Sequence, residues 1–287
     1  MDGIYLINKE KDMTSHDVVN ILRRKLKTRQ IGHAGTLDPM ATGLLVVLVG
    51  KATKLSDLLL SEKKAYTGTI KIGYSTDSYD FTGNEILRSE AFELSKREIN
   101  EAIDQIKAME TQLPPMHSAI KVNGKKLYEY ARKDQTVEVQ KRPISIESFE
   151  CTSFTKDDFG YTVGFKSIVS KGTYIRSIAN DFGQLIGIPS HLSSLNRTAS
   201  GQFDLKDAYT LDDVNELTIP SLSLEDYAKT LDEVILSDYL SKLVRNGIRL
   251  DERQTTSDGP ILVKNNFNVA IAIYIKDGKT YKPIIQL

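Results

Sequence analysis

Hydrophobic positions along the chain recur with two periods, and the change of period outlines the predicted elements. Thr14 and Asp17 have the spacing of a capping box, and apolar residues then recur every three or four positions, so a helix is predicted from near Ser15. The continuous apolar run of residues 44–49 is typical of a strand that is covered on both faces. From Tyr66 onward, apolar and polar residues alternate, which predicts a strand with one buried face.

Later segments continue to switch between helical and strand periods. Ser95 and Glu98 repeat the capping-box spacing before an amphipathic helical stripe, and Pro114-Pro115 ends that stripe. Helical patterns also cover residues 54–60 and 175–185, and strand patterns cover residues 118–122, 137–139, 144–154 and 161–169. This mixture of elements predicts an α/β (α+β) fold.

The end of the chain has a pattern of its own. Asn265-Asn266 and Asp277-Gly278 are turn signals that separate three short strand patterns, at residues 261–264, 269–275 and 280–285. We therefore expect a large domain over residues 1–240, in which residues 204–240 form an acidic helical connector. A small β-rich C-terminal domain is expected over residues 241–287.

Composition excludes several classes of protein. Hydrophobic residues make up 40% and charged residues 26% of the 287 residues, an ordinary soluble mix that excludes disorder as the main state. No apolar run approaches the ~18 residues of a membrane-spanning helix, and the N-terminus lacks the pattern of a secretory signal. The single cysteine, Cys151, cannot form an internal disulfide, so a cytoplasmic location is expected.

The net charge is zero, but the charges are unevenly distributed. Residues 1–72 contain 12 basic and 7 acidic side chains, residues 113–142 contain 7 and 3, and residues 242–287 contain 8 and 4, whereas residues 204–241 contain 2 and 10. Such basic segments fit either a solvated surface or a patch that contacts phosphates. The densest basic run comprises Arg23, Arg24, Lys25, Lys27 and Arg29.

A glycine-rich loop over residues 32–43 contains the strongest candidate chemistry. Asp38 is its only carboxylate and stands among small and apolar residues, while Pro39 biases Asp38 toward an extended backbone. The ordinary interpretation of this pattern is a turn in which the aspartate caps a backbone amide. The alternative is a desolvated carboxylate, which needs a partner or becomes protonated.

Arg176 is the candidate partner for that carboxylate. If Thr173 caps the following helix, Arg176 lies in its first turn, where a cation works against the helix dipole. Such an arginine is either exposed to solvent or compensated by an anion. A bidentate pair with Asp38 would keep the carboxylate ionised and oriented.

Six motifs that occur in order along the chain resemble the TruB-type tRNA pseudouridine synthases. The similarity runs from about residue 3 to residue 203 and is weaker beyond. The motifs are the loop of residues 32–44, Lys64-Ala65-Tyr66, and residues 112–121, 127–132, 170–176 and 191–195. The resemblance implies a mixed, mostly antiparallel sheet with flanking helices and a C-terminal PUA-like RNA-binding domain. It also implies the isomerisation of the T-loop uridine of tRNA, at position 55, to pseudouridine.

The resemblance implies roles for particular residues. Asp38 matches the essential carboxylate, and Arg176 matches the arginine that pairs with it. Tyr66 matches a tyrosine that would stack on the target base and take the C5 proton. Leu192 matches a leucine that lines the uracil pocket, and His33 matches a histidine that contacts the RNA and holds the flipped nucleotide.

Three further positions are expected to contact or support the substrate, namely Lys64, Gly35 and Thr36. No cofactor or metal is expected, because the uracil is itself the leaving group and stays trapped in the site. The sequence departs from the family pattern after Lys9, where Glu10 replaces a proline.

The expected partner is tRNA, through its T-arm, with no membrane contact and no obligate protein partner, so that a monomer is expected. Two alternatives remain open. The first is a non-catalytic tRNA-binding or tRNA-folding protein. The second is a glycosidase-like enzyme for a small nucleoside, which would need a second carboxylate, and none stands out in the motifs.

Overall fold

The computed structural model describes residues 2–133 and 135–287. Its strands are β1 (Gly3–Lys9), β2 (Ile31–His33), β3 (Thr42–Val49), β4 (Lys64–Ile72), β5 (Tyr74–Thr76), β6 (Glu85–Arg88), β7 (Thr111–Gln112), β8 (Lys121–Val122), β9 (Lys125–Lys126), β10 (Arg142–Pro143), β11 (Ile146–Asp157), β12 (Gly160–Val169), β13 (Ser190–Ser200), β14 (Phe203–Asp204), β15 (Leu222–Ser223), β16 (Asp232–Leu236), β17 (Ile261–Asn265), β18 (Ala270–Asp277) and β19 (Thr280–Gln286).

Its α-helices are α1 (Ser15–Lys25), α2 (Ser56–Leu60), α3 (Lys96–Lys107), α4 (Leu127–Ala131), α5 (Ile175–Ile186), α6 (Leu224–Lys229) and α7 (Asp238–Arg245), and Gly50–Leu55 and Leu205–Asp207 are 3₁₀ helices. Within residues 2–133 and 135–287, no helix is both long and apolar enough to span a membrane.

The main sheet confirms the predicted mixed, mostly antiparallel arrangement. Its strand order is β11-β12-β4-β13-β3-β1-β15, with β2 added beside β3 and β14 beside β13. Among the described strands of this sheet, only β13 and β3 pair in parallel, and they do so over a short stretch, Asn196 with Thr42 and Arg197 with Gly43. This contact brings the strand that follows the aspartate loop beside the strand that follows α5.

Strand β3 lies between two hydrophobic cores, as its continuous apolar run predicted. Leu45 and Val47 face the core that contains apolar residues of α1, α3 and α5. Leu44 and Val46 face the other core, which includes residues of the C-terminal strands. Because neighbouring side chains on a strand point to opposite faces, only a strand that is covered twice is apolar at every position.

The C-terminal strands form a four-stranded sheet, β16-β17-β18-β19. The three predicted strands are present, but the sheet also includes β16, which begins at Asp232 and pairs in parallel with β17. We therefore propose that the small unit begins near residue 231 rather than at residue 241. Ile273 and Ile285 of this sheet belong to the same core as Ile4 of β1, so the small unit packs against the main sheet.

Predictions were confirmed where the sequence pattern behind them spans only a few residues. The capping boxes at Thr14 and Ser95 form as predicted. The predicted strand at residues 137–139 is wrong, because residues 135–140 have no regular structure. The predicted connector of residues 204–240 is only partly helical. In it, the side chain of Asp213 accepts the hydrogen bonds expected from Thr210, but a turn follows instead of a helix.

Candidate active site

Asp38 and Arg176 meet in a bidentate ion pair. Nε of Arg176 donates to Oδ2 of Asp38 at 2.8 Å, and Nη2 donates to Oδ1 at 3.1 Å. Arg176 lies in the first turn of α5 as predicted, although Tyr174 rather than Thr173 is the N-cap residue. The arginine side chain is 5% exposed and that of Asp38 is 33% exposed. The buried arginine therefore orients a carboxylate that remains open to a substrate.

Arg176 also donates to two backbone carbonyl groups. Nη1 donates to the oxygen of Ser78 at 3.3 Å, and Nη2 also donates to the oxygen of His117 at 3.0 Å. These contacts fix the guanidinium plane from two further loops. The aspartate is therefore held by an arginine that cannot rotate without losing several hydrogen bonds.

A second carboxylate, Asp80, lies beside the same arginine. Its Oδ2 is 3.8 Å from Nε of Arg176, and its side chain is only 6% exposed. Its Oδ1 accepts hydrogen bonds from the hydroxyl of Ser78 at 2.9 Å and from the amide and hydroxyl of Thr82 at 2.9 and 2.5 Å. Asp80 is thus buried and bonded on its inner side, and the sequence motifs did not reveal it.

The backbone of the aspartate loop is held by buried side chains of the N-terminal segment. The hydroxyl of Ser15 accepts from the amide of Leu37 at 2.8 Å. Nζ of Lys9 donates to the oxygen of Pro39 at 3.3 Å, on the residue that follows Asp38. Burial lowers the pKa of Lys9 to about 8, although the nearby Asp38 carboxylate raises it in part. Lys9 therefore supports the loop even though the family's proline does not follow it.

Arg197 of β13 holds the same loop from the other side. It is 1% exposed, and it donates to the oxygen of Leu44 at 2.7 Å and to that of Gly35 at 3.1 Å. Gly35 has φ +117°, a backbone conformation that favours glycine. Gly35 is thus a structural part of the loop, whereas Thr36 is exposed at its surface.

Lys64 is also buried, and its ammonium group donates to backbone carbonyl groups at the end of α2. Nζ lies 2.7 Å from the oxygen of Leu60 and 2.6 Å from that of Glu62. Burial, with a smaller contribution from the Arg197 guanidinium, lowers the pKa of Lys64 to about 8. These contacts fit the supporting part expected of Lys64, since its donors are directed at the protein itself.

Tyr66 is half-buried on β4, and the strand order of the main sheet gives its position relative to the aspartate loop. It lies opposite Arg197 of β13, and Arg197 in turn lies opposite Gly43 of β3. Adjacent strands are ~4.8 Å apart, so Tyr66 stands about 10 Å from the start of β3, two strands away. Strand β13 lies between them, and the Tyr66 side chain packs against the core that includes Leu37 and Met40 of the aspartate loop.

Leucines on β13 differ in their position relative to Tyr66. Leu192 is 0% exposed and lies opposite Ile70, and its backbone bonds to Tyr79 and Phe81. Leu195 is 7% exposed and lies opposite Gly68, which is two residues from Tyr66 on the same face of β4. Leu195 is therefore better placed than Leu192 to contact a base beside Tyr66.

His33 ends β2 just before the aspartate loop and is half-buried. Its Nδ1 is buried and has no hydrogen-bond partner within the residues that the structure describes. Burial is the main cause that lowers the pKa of His33, and the Arg197 guanidinium lowers it as well. A neutral imidazole at this position suits packing against a nucleotide better than an ion pair.

Family models match most of the chain. The TruB family pseudouridylate synthase N-terminal domain matches residues 23–175, and the tRNA pseudouridylate synthase B C-terminal domain matches residues 176–241. The chain belongs to the TruB family of pseudouridylate synthases. Asp38 lies in the first matched region, and its partner Arg176 is the first residue of the second.

Curated members of the TruB family are similar over the whole length. The tRNA pseudouridine synthase B of Acholeplasma laidlawii is 41% identical over 284 residues, which cover 98% of each chain. That of Bacillus subtilis is 39% identical over 290 residues, covering 96% of this chain and 93% of the relative.

Solved structures share the fold of this TruB-family chain. A Cbf5-Nop10-Gar1 complex contains a chain with a TM-score of 0.70 and 21% identity, covering 99% of this chain and 85% of that one. The archaeal box H/ACA sRNP Nop10-Cbf5 complex gives a TM-score of 0.67 and 20% identity, covering 95% and 78%. At this identity, the likeness concerns the fold alone.

The sequence reasoning missed three residues of this TruB-family site, Asp80, Arg197 and Leu195. Asp80 had one local signal, since serine and threonine residues flank it on both sides and can bond a buried carboxylate. Arg197 had another, because it is an arginine within a mostly uncharged strand pattern. Leu195 had none that distinguishes it from Leu192, because only the register between β13 and β4 separates the two.

Proposed function

We propose that this chain isomerises the T-loop uridine of tRNA, at position 55, to pseudouridine, with Asp38 as the essential carboxylate. The similar proteins from Acholeplasma laidlawii and Bacillus subtilis are both named tRNA pseudouridine synthase B. The observation that carries the proposal is the bidentate pair, in which Arg176 orients a carboxylate that is still partly exposed.

The reaction is an isomerisation in which no atom is gained or lost overall. The bond between C1′ of the ribose and N1 of uracil breaks, the freed uracil turns, and C1′ bonds to C5. The proton on C5 leaves and N1 gains one, so no oxidant or reductant enters. Asp38 acts either as a nucleophile or as a base at the ribose, and both roles need an ionised carboxylate in a fixed position.

Tyr66 is proposed to stack on the target base and to accept the C5 proton at the end of the reaction. The packing of Tyr66 against the core that includes Leu37 and Met40, which flank Asp38 in the loop, supports this role. We assign the wall of the uracil pocket to Leu195, with Leu192 supporting it from the core. This assignment rests on their positions opposite Gly68 and Ile70.

The target nucleotide has to leave the folded T-loop before it reaches Asp38. Extrusion of a base costs a few kcal/mol, which contacts with the RNA must offset. His33 and Thr36 border the partly exposed Asp38, and we propose that they contact the extruded nucleotide. Arg197 keeps the loop in place during this step by donating to the oxygen of Gly35, and Lys64 holds the residues at the end of α2.

The second carboxylate does not favour a glycosidase-like mechanism. Such a mechanism needs a carboxyl group that exchanges protons with the substrate or with water. Asp80 is 4% exposed, and its Oδ1 accepts three hydrogen bonds from Ser78 and Thr82. Its position instead suits a role in holding Arg176.

The test is pseudouridine formation by Asp38→Asn. We expect the rate to fall by at least about 10⁴-fold, because the amide cannot act as nucleophile or base, while tRNA affinity stays within about twofold. Mass spectrometry maps pseudouridine in one tRNA transcript incubated with the protein alone in chelator, and filter binding gives the affinity.

Asp158→Asn is the matched control, because Asp158 is an exposed aspartate on the β11–β12 turn. It should form pseudouridine at the wild-type rate. If the wild-type protein binds tRNA but forms no pseudouridine, the non-catalytic alternative is correct instead.

The same proposal includes a cytoplasmic monomer that binds the T-arm of tRNA, with the small β-rich unit as a PUA-like RNA-binding module. The single cysteine supports a reducing compartment. Light scattering of the free protein and of its 1:1 mixture with tRNA tests the monomer.

A further inference from the structure

The dense basic run of the sequence forms one wall of a depression at the end of α1. The depression has a volume of about 710 Å³. It has no acidic and no large apolar side chain in its lining, which consists of Asn20, Arg23, Arg24, Lys27, Thr28 and Arg29. A surface of this kind attracts anions and offers nothing apolar for a protein partner to bury.

The basic side chains of this run differ in whether other groups of the protein bond to them or pair with them. Nζ of Lys25 donates to the oxygen of Leu211, and Lys27 is paired with Glu216. Arg24 and Arg29 have no side-chain hydrogen bond and no ion pair within residues 2–133 and 135–287. Two guanidinium groups therefore remain available at the depression.

Arg23 forms part of the floor. Its Nη1 donates to the side chain of Asn20 at 3.1 Å, and its Nη2 donates to the oxygen of Ile31 at 3.4 Å. Its Nε is buried and has no hydrogen-bond partner among residues 2–133 and 135–287. An unpaired buried donor is unusual in a native protein, and a bound anion would reduce its cost.

The helix dipole explains only part of this charge. Basic residues in the last turn of a helix gain about 0.3–1 kcal/mol from the dipole, and Arg24 lies in that turn of α1. Arg29 lies beyond the C-cap residue Leu26, where the dipole has little effect. Arg29 therefore needs another explanation, and its neighbours suggest one.

The depression lies on the segment that leads directly into the site. The chain passes from Arg29 into β2, which ends at His33, and the aspartate loop follows. Four residues reach at most about 13 Å when fully extended, and the hydrogen bond from the Ile31 amide to the Arg29 oxygen bends the chain, so Arg29 and His33 lie within that distance. That distance corresponds to a few nucleotides of an RNA chain whose extruded base lies at Asp38.

We propose that Arg24 and Arg29 form a binding site for the phosphodiester backbone of the tRNA substrate, outside the reacting nucleotide. This inference rests on the proposed function, since it assumes that tRNA is the substrate. The site binds phosphate groups and reads no bases, because its lining offers charges rather than a surface for stacking.

The test compares two double variants in the Asp38→Asn background, in which no product forms during binding. Arg24→Gln with Arg29→Gln removes two charges from the depression. Lys96→Gln with Arg97→Gln removes two charges from the exposed start of α3 and serves as the matched control.

At about 0.1 M salt, the first variant should bind a tRNA transcript about tenfold more weakly than the control. The slope of log affinity against log salt should become shallower by about 1.5, which corresponds to two lost phosphate contacts. Equal affinity and equal slope for the two double variants would overturn the proposal. Thermal unfolding checks that both variants keep the fold.

Pseudouridine formation by the wild-type protein on the same transcript separates this inference from the proposed function. If the wild type forms no pseudouridine while the arginine variant still loses affinity and slope, the proposed function fails and the phosphate site stands. If pseudouridine forms but the two double variants bind alike, the phosphate site fails alone.

Discussion

Single residues at this site differ in how their buried charges are compensated. Arg176 meets a carboxylate, whereas Arg197 and Lys64 donate to backbone carbonyl groups. Carbonyl oxygens satisfy the N–H donors but do not cancel the charge, so both cations leave a positive potential beneath the aspartate loop. That potential attracts any phosphate that approaches the loop.

The geometry of the guanidinium predicts the effect of Arg176→Lys. Lysine keeps the charge but loses the planar fork that bonds both oxygens of Asp38, as well as the bonds to Ser78 and His117. We expect single-turnover pseudouridine formation to slow by about 10²–10³-fold, with tRNA affinity within about threefold of wild type. Arg97→Lys on α3 should leave the rate unchanged, and a normal rate in Arg176→Lys would contradict the orienting role.

Burial raises the pKa of Asp181 on α5 to about 6. The ionised carboxylate is therefore disfavoured in the folded state, and the free energy of unfolding should depend on pH. The folded state binds the carboxyl proton of Asp181 more tightly than the unfolded state does. The contribution of this proton to the free energy of unfolding is therefore complete below about pH 4 and is lost as pH rises through 6. Asp181→Asn should therefore raise the free energy of unfolding at pH 7.5, by at most about 3 kcal/mol.

Urea unfolding at pH 3.5 and 7.5 measures that difference. The gain from Asp181→Asn should disappear at pH 3.5, where both side chains are neutral. Asp158→Asn, at an exposed position, should show no gain at either pH. A gain for Asp181→Asn that is the same at both pH values would exclude the burial explanation.

Among the elements, the short parallel contact between β13 and β3 decides where the aspartate loop ends. It places Arg197 beside Gly43, the last residue of the loop. Gly43 has φ +101°, and a Cβ there would overlap the backbone of Arg197 and the side chain of Asn196. No other residue fits this crossing without moving one of the two strands.

Gly43→Ala should lower the free energy of unfolding by more than about 3 kcal/mol, because overlap adds to the strain of positive φ. Gly278→Ala is the matched control, since Gly278 also has positive φ (66°) but no atom within 4 Å of an added Cβ. The control should cost about 1 kcal/mol, from the backbone alone. Similar urea midpoints for the two variants would show that the crossing tolerates a side chain.

On the scale of the whole molecule, the C-terminal sheet and the main sheet share a core. Ile273 of β18 is 0% exposed and belongs to the cluster that includes Ile4 and Leu44. A shared core couples the unfolding of the two sheets, because neither face can be exposed alone without cost. The small unit therefore stabilises the scaffold of the site in addition to any contact with RNA.

Ile273→Ala should lower the free energy of unfolding by about 2–5 kcal/mol and shift one cooperative transition of the whole chain. Ile235→Ala is the control from the same sheet, because Ile235 is 63% exposed. It should change stability by less than about 0.5 kcal/mol. Calorimetry that resolves two separate transitions for Ile273→Ala would show that the sheets unfold independently.

Sequence alone determined the features whose causes lie close together along the chain. The caps at Thr14 and Ser95 depend on side chains three residues apart, and the double burial of β3 is visible in an unbroken apolar run. The aspartate loop and Arg176 were recognised from ordered motifs, and their pairing was implied by the family resemblance, because charge compensation alone left an exposed arginine open as well. Each of these inferences needed only local chemistry or one long-range contact.

Only the tertiary structure decided the features that depend on register between distant strands. Residues 137–139 have a strand pattern but pair with no strand of the described residues, whereas β16 pairs with β17. Leu195 and Leu192 have equivalent chemistry, and their different access to the site comes from pairing with Gly68 or with Ile70. Side-chain type sets which contacts are possible, but packing of the whole chain selects among them, because each buried polar group must find its partner at the same time.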